Sequence, residues 1–234
     1  MTPKSETRER ILEEAARLFH EQGYSATSIS TILERAGVNS GSLYHFFPGK
    51  DALLIGVLER HGALLEPFIL LPAERASPDP IERVFALLEV YRRGLLVSGC
   101  TRGCPVGNLA LELGDRKPRA RALMNEYFAA WTGRVQGWLV AADDRLPAEL
   151  DRQSLSRLVL AVMEGGVMQA RAAGSLDPYD AAVAQLRSYF RLLASYARRE
   201  PSESLRPETG ESFLEPVEAA EPAETADATG WRYW

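Results

Sequence analysis

Two groups of side chains in this sequence have types and spacing that could do chemistry. The first is the run 27–50, where Ser, Thr, Tyr, His and Lys interleave with apolar residues at helical spacing. At about 100° per residue, Ile29, Ile32, Leu33 and Ala36 share one arc of a first short helix, leaving Ser30, Thr31 and Glu34 outside it. On a second helix Leu43, Phe46 and Phe47 define the buried arc, while Gly41 and His45 point away, flanked by Ser42 and Tyr44. Hydroxyls and an imidazole on an outward face supply donors and acceptors for base edges and phosphates, and Gly41 lets the backbone approach closely. Lys50 and the helix start beyond Gly49 are placed to hold a phosphate, as are the hydroxyls and N–H groups of Thr27 and Ser28. A plain three-helix cluster with a solvated polar face would show the same periodicity.

The second group is the loop Cys100-Thr101-Arg102-Gly103-Cys104. Zinc needs four ligands, and His20, His45 and His61 all lie in or near the first sixty residues, so no metal is expected here. Three readings stay open: a Cys100–Cys104 disulfide acting as a redox switch, a reactive thiol at Cys104, or a small buried cysteine packing a loop against a helix. Cys104 precedes Pro105 at the start of the helix NLALELG, where the helix field would lower a thiol pKa, with Arg102 near enough to assist. No Ser/His/Asp order, Cys–His pairing or phosphate loop stands out, and Glu13-Glu14 and Asp143-Asp144 read as solvated helix faces. The expectation is a chain that is not an enzyme and carries no cofactor.

The elements that must position these groups read as helices throughout. Ile11, Leu12, Ala15, Leu18 and Phe19 make residues 5–22 amphipathic, and Gly23 ends that helix. Ser28 and Asn39 are N-caps for the two short helices, Gly37 forces the turn between them, and Pro48-Gly49 closes the second. Two short helices joined by a three-residue turn form a helix-turn-helix, whose second helix enters the major groove. A longer helical pattern runs from 50 to about 71, and LLPAERASPDP reads as punctuation before a helix near 81–97. Further helices are expected over 108–114, 118–142, 151–173 and 178–199. No strand alternation persists. The fold class is all-α, with about nine helices in an N-terminal three-helix head (1–50) and a helical body (51–199).

Composition bounds these readings. The 234 residues are 46 % hydrophobic and 25 % charged, as in ordinary globular proteins, and two cysteines suit a reducing compartment. No apolar run reaches the roughly 18 residues of a membrane helix, and the charged N-terminus lacks a secretory core, so the expected location is the cytoplasm. The net charge of −5 argues against nucleic acid only until it is located: residues 200–234 carry −7, leaving +2 for 1–199. That tail is rich in Glu and Pro and reads as a solvated extension. Competition with DNA for the head, or recruitment of a partner through its terminal WRYW, are the alternatives.

The pieces ILEEAARLFHEQGY, TSISTILERAGVNSGSLYHFF and GKDALL, in that order over residues 7–59, resemble the DNA-binding domain of TetR-family repressors. The resemblance implies an all-helical homodimer that binds operator DNA and releases it to a small ligand. By position it makes Thr27, Ser28, Ser40, Ser42, Tyr44, His45 and Lys50 the DNA contacts, beside Gly41 from the wheel. Asn39-Ser40 departs from the pair, often containing alanine or lysine, that is common there, which bears on operator sequence. Few cations lie on the reading face, so two heads on two half-sites are needed for high affinity. A ligand-binding or interaction protein on the same scaffold, without DNA binding, is the competing function.

The resemblance also assigns 51–199 to ligand binding and dimerisation. Tyr91, Leu95, Phe128, Trp131, Met163 and Met168 could line an apolar cavity there, although each could equally be core. The stretch GCPVGNLALEL resembles a TetR subgroup that responds to electrophiles, in which the cysteine is sometimes the sensor, which makes Cys104 and Cys100 candidates. The last two helices are apolar on more than one face. Leu155, Leu158 and Val162, with Val183, Leu186, Phe190 and Leu193, are the expected dimer contacts, flanked by Tyr189, Leu192 and Tyr196. Burial of both helices inside a monomeric core is the alternative.

Overall fold

A computed structural model of the chain describes residues 3–114 and 116–198. The tail expected over 200–234 lies outside the described residues. Those described are helical in nine rods. The head is α1 (Pro3–Gln22), α2 (Ile29–Ala36) and α3 (Ser40–Phe46). The body follows with α4 (Lys50–Leu65), α5 (Leu71–Ala76), α6 (Pro80–Val97), α7 (Pro105–Leu113), α8 (Pro118–Ala141), α9 (Arg152–Ala173) and α10 (Asp177–Ala197).

The expected punctuation after residue 71 is a correction. A π-helical turn, Glu66–Leu70, carries α4 directly into α5, so the rod runs on to Ala76. Pro67 and Pro72 each sit in the first turn of a segment, where a missing N–H interrupts least, and the Leu71 N–H reaches back to the Glu66 carbonyl.

One continuous core joins head and body. Ile11, Ala15 and Phe19 of α1 are buried with Leu53, Leu54 and Val57 of α4, and α1 packs on α7 as well. Trp131 of α8 lies at the centre of the body and is wholly buried. The last two helices pack on each other and are pinned to α6. The Tyr179 hydroxyl donates to the Leu88 carbonyl at 2.7 Å, and Arg92 grips the Asp180 carboxylate at 2.7 and 3.0 Å. No described helix is long and apolar enough to cross a membrane.

The expected dimer contacts divide. Leu155, Leu186 and Phe190 turn inward and are buried, Phe190 edge-on to Phe85, so they stabilise the body itself and are corrected out of any surface. Val162, Val183 and Leu193 are half-buried. What faces outward is Leu158 and Met168 on α9 and Tyr189, Leu192 and Tyr196 on α10.

Candidate nucleic-acid interface and effector core

Local signals build the reading head. Ser28 caps α2, its hydroxyl accepting from the Thr31 N–H at 3.0 Å. Gly37 ends α2 in the left-handed region (φ 63°), which turns the chain so that the Val38 N–H closes on the Leu33 carbonyl. Asn39 then caps α3, its side-chain oxygen accepting from the Ser42 N–H at 2.9 Å. Leu43 and Phe47 are buried beneath α3, and this fixes the opposite side outward. Ser40, Gly41 and His45 are exposed there, Tyr44 is 55 % exposed, and Ser42 is half-buried. Ser28 is exposed at the start of α2. These five α3 residues and Ser28 thus share the outer surface of the head.

Two of the expected contacts sit differently. Thr27 is fully buried: its hydroxyl donates to the Gly23 carbonyl at 2.7 Å, the Gln22 amide donates to it, and its N–H is bonded to Tyr24. Thr27 therefore holds the α1–α2 turn and is corrected from a DNA contact to a structural residue. Lys50 is half-buried, its ammonium 4.2 Å from the Tyr24 ring and 3.5 Å from the Ser25 carbonyl. Burial lowers its pKa, against Glu112 and Asp51, which raise it.

The head is fastened to the body by α7 and the loop before it. Glu112 accepts from the N–H groups of Tyr24 at 2.8 Å and Ser25 at 2.6 Å. Burial disfavours its charge, but these bonds, the Ser25 hydroxyl and Lys50 hold the carboxyl below its ordinary range. Gly23, at φ 87°, brings the turn so close that a Cβ there would lie 2.9 Å from the same carboxylate. Asp51 joins the Tyr24 hydroxyl to Lys117. At the far end His20 bonds the Gly103 carbonyl at 2.7 Å and Arg102 pairs with Glu21 at 2.9 Å. Burial depresses His20 to about 4 and His61 to about 3, so both imidazoles are neutral near pH 7 and the His20 Nε2–H donates.

Of the expected effector residues, Tyr91, Trp131 and Cys104 come together. The Trp131 indole donates to the Tyr91 hydroxyl at 2.9 Å, and Tyr91 in turn bonds Tyr127. Phe128 is half-buried, edge-on to Tyr127, and Met163 is plain core. Cys104 is the N-cap of α7, as its position in the sequence suggests, and its sulfur accepts from the Gly107 N–H at 3.3 Å. The expected activation is reversed, however. Complete burial and the neighbouring Glu164 push the thiol well above its ordinary range, and Arg102 is engaged with Glu21. Both cysteines are buried free thiols, and Cys100 lies in a left-handed turn (φ 58°) after α6.

Three residues of this arrangement escape the periodicity: Glu112, Glu164 and His20. Two of them left a signal. Glu112 in NLALELG and Glu164 in LVLAVMEGGVM are lone charges inside apolar runs, where a solvated face would carry several.

Two stretches of the chain match known families. Residues 11–57 match the bacterial regulatory proteins of the tetR family, and residues 80–186 match the tetracyclin repressor-like C-terminal domain. The uncharacterised HTH-type transcriptional regulator YxaF of Bacillus subtilis is 32 % identical over 72 % of this chain and 86 % of its own. The uncharacterised regulator Rv0196 of Mycobacterium tuberculosis is 31 % identical over 82 % of this chain and 97 % of its own. The crystal structure of a TetR transcriptional regulator from Chloroflexus aurantiacus superposes with a TM-score of 0.69, at 27 % identity, over 84 % of this chain and 96 % of that one. With a capped helix-turn-helix at its start and a helical body behind it, this chain belongs to the TetR family of bacterial transcription regulators.

Proposed function

We propose that the chain is a homodimeric repressor that reads operator DNA in the cytoplasm with α3 and lets go when a small molecule enters the α6–α9 core. The observation that carries the DNA half is the outer face of α3. Ser40, Gly41, Tyr44 and His45 are exposed over a buried Leu43, so base-reading groups stand outward on a rigidly seated helix. Ser28 and Lys50, at the starts of α2 and α4, suit the flanking phosphates. The outward stripe of Leu158, Met168, Tyr189, Leu192 and Tyr196 supports pairing with a second copy, since α9 and α10 of two chains can close a four-helix interface. Paired heads would also offset the scarcity of cations on each.

The effector half is supported by the buried Tyr91–Trp131–Tyr127 cluster, with Tyr91 also on the wall of a narrow crevice that Leu95 and Val167 line. Electrophile capture by Cys104 has little support, because its thiol is buried and protonated. A non-covalent effector fits better. The division into a 1–50 head, a 51–199 body and a 200–234 tail serves the same scheme. Gel shift on the DNA flanking the gene, at fixed salt, is the test. Wild-type chain should retard it specifically, and Tyr44→Ala should weaken binding about tenfold, as loss of one base contact does. No specific retardation, with an intact dimer, refutes the DNA half.

A further inference from the structure

The run RKPRAR, residues 116–121 at the start of α8, holds four cations within six residues, more than any other window of that length in the chain. The body makes little use of them. Arg116 is exposed and donates to the Glu112 carbonyl, Arg121 is exposed, and Arg119 meets Glu59 at 3.8 Å with both side chains largely in solvent. The fold carries the beginning of this run to the first turn of α4, where Lys50 stands. The Lys117 ammonium lies 2.8 and 2.7 Å from the two carboxylate oxygens of Asp51.

Two ammonium groups thereby converge on one ring. That of Lys50 stands 4.2 Å from the centre of the Tyr24 ring, and that of Lys117 stands 5.8 Å from it. Burial lowers the Lys50 pKa, and Lys117 adds to that effect, against Glu112 and Asp51. The two carboxylates do not cancel this pair of charges. Glu112 is engaged with the N–H groups of Tyr24 and Ser25. The Asp51 side chain is 65 % exposed and also accepts from the Tyr24 hydroxyl. An ion pair that open to water contributes little, so a phosphate can share its ammonium.

We propose that the start of α8 is part of the DNA-binding surface, where Lys117 and Arg116 hold a backbone phosphate beside the one taken by Lys50. An anion set between Lys50 and Lys117 answers their mutual repulsion, and the Arg116 fork suits a second pair of phosphate oxygens. The contact is blind to base sequence, so it adds affinity without specificity. It also places part of the body on the DNA, so a shift of α7 or α8 lowers affinity even with α3 unchanged. The inference rests on the operator-binding reading for its consequence.

Fluorescence anisotropy over a series of salt concentrations tests it, with the full chain, the DNA flanking the gene and a duplex of unrelated sequence. Lys117→Gln should reduce the slope of log affinity against log salt by about 1 per chain and weaken both duplexes by the same factor. Asp51→Asn, which removes the bridge and leaves the cation, should tighten both. Arg75→Gln removes an equal charge from α5 and should leave the slope unchanged. An unaltered slope in folded Lys117→Gln, an Asp51→Asn variant that weakens binding as Lys117→Gln does, or an equal loss in Arg75→Gln overturns the proposal. Arg116→Gln, with the same expected loss, decides should Lys117→Gln not fold. Equal affinity of the wild-type chain for the two duplexes would refute the repressor reading instead, since the salt slope is read on either.

Discussion

Replacing Glu112 with Gln removes the charge that clamps α7 to the α1–α2 turn while scarcely changing volume. Each carboxylate oxygen takes one backbone N–H, Tyr24 at 2.8 Å and Ser25 at 2.6 Å. A hydrogen bond to a charged group contributes about 1.5–3 kcal/mol. The site is half-buried, so competition from water brings each bond towards about 1 kcal/mol. In the variant one N–H keeps an amide oxygen and the other faces an NH2 group, so the expected loss is about 1–2 kcal/mol. For a domain of this size that lowers Tm by about 2–8 °C. The local readout is amide exchange: Tyr24 and Ser25 should exchange about tenfold faster, while interior amides of α1 and α4 keep their protection. Glu126→Gln, exposed on α8, is the control and should change neither quantity. Unaltered protection at Tyr24 and Ser25, with Tm unmoved, would show that the clamp carries no energy and that α7 does not hold the head.

Other consequences follow from the same contacts. Thr27→Val keeps the buried volume but leaves the Gly23 carbonyl without its donor, so stability should fall by about 1–3 kcal/mol, measured by urea unfolding. The salt dependence of operator binding should not change; a shallower slope would restore Thr27 to the DNA contacts. Leu192→Arg, on the outward stripe of α10, should shift the chain from dimer to monomer in sedimentation without unfolding it, and an unchanged dimer would move the interface elsewhere. His20 and His61 titrate at about 4 and about 3 when folded, against an ordinary 6.5, so the folded state resists protonation. Their contribution is therefore complete above pH 6.5 and is lost as pH falls towards 4, with His20 alone worth about 3 kcal/mol over that window. Urea midpoints that stay level from pH 6.5 to 4.5 would contradict this.

The head was legible because its signals are local. Ser28, Gly37 and Asn39 act within four residues of themselves, and the apolar spacing of α2 and α3 fixes which side is left for DNA. Thr27 misled for the opposite reason. Its partners, the carbonyls of Leu18 and Gly23, belong to the end of α1, and only the closed turn brings them to its hydroxyl. The expected dimer face shows a second limit. Periodicity reveals that α9 and α10 are apolar on two sides but cannot say which side the body takes. The α6 surface decided that by receiving Phe190 against Phe85, leaving Leu192 and Tyr196 outward. Cys104 shows a third. Its place at a helix N-terminus is a sequence property, while the burial that outweighs the helix field is a tertiary one.

The two lone carboxylates that periodicity passes over explain why α7 belongs where it is. Glu164 bears on Gly107 in its first turn, and Glu112 in its last turn holds the backbone of Tyr24 and Ser25. Five residues separate those points, a helical rise of about 7.5 Å. A rod that short does not bend, so a displacement at Gly107 must appear at Glu112 as translation or tilt. Tyr24 and Ser25 lead directly into Thr27 and the Ser28 cap, and thence into α2, so the turn cannot yield without moving the helix that supports α3. Gly107 and Gly23 are the two places where a side chain would collide with these carboxylates, which ties both glycines to the same strut. One short helix thus joins the Glu164 carboxyl at Gly107 to the backbone of the α1–α2 turn at Glu112.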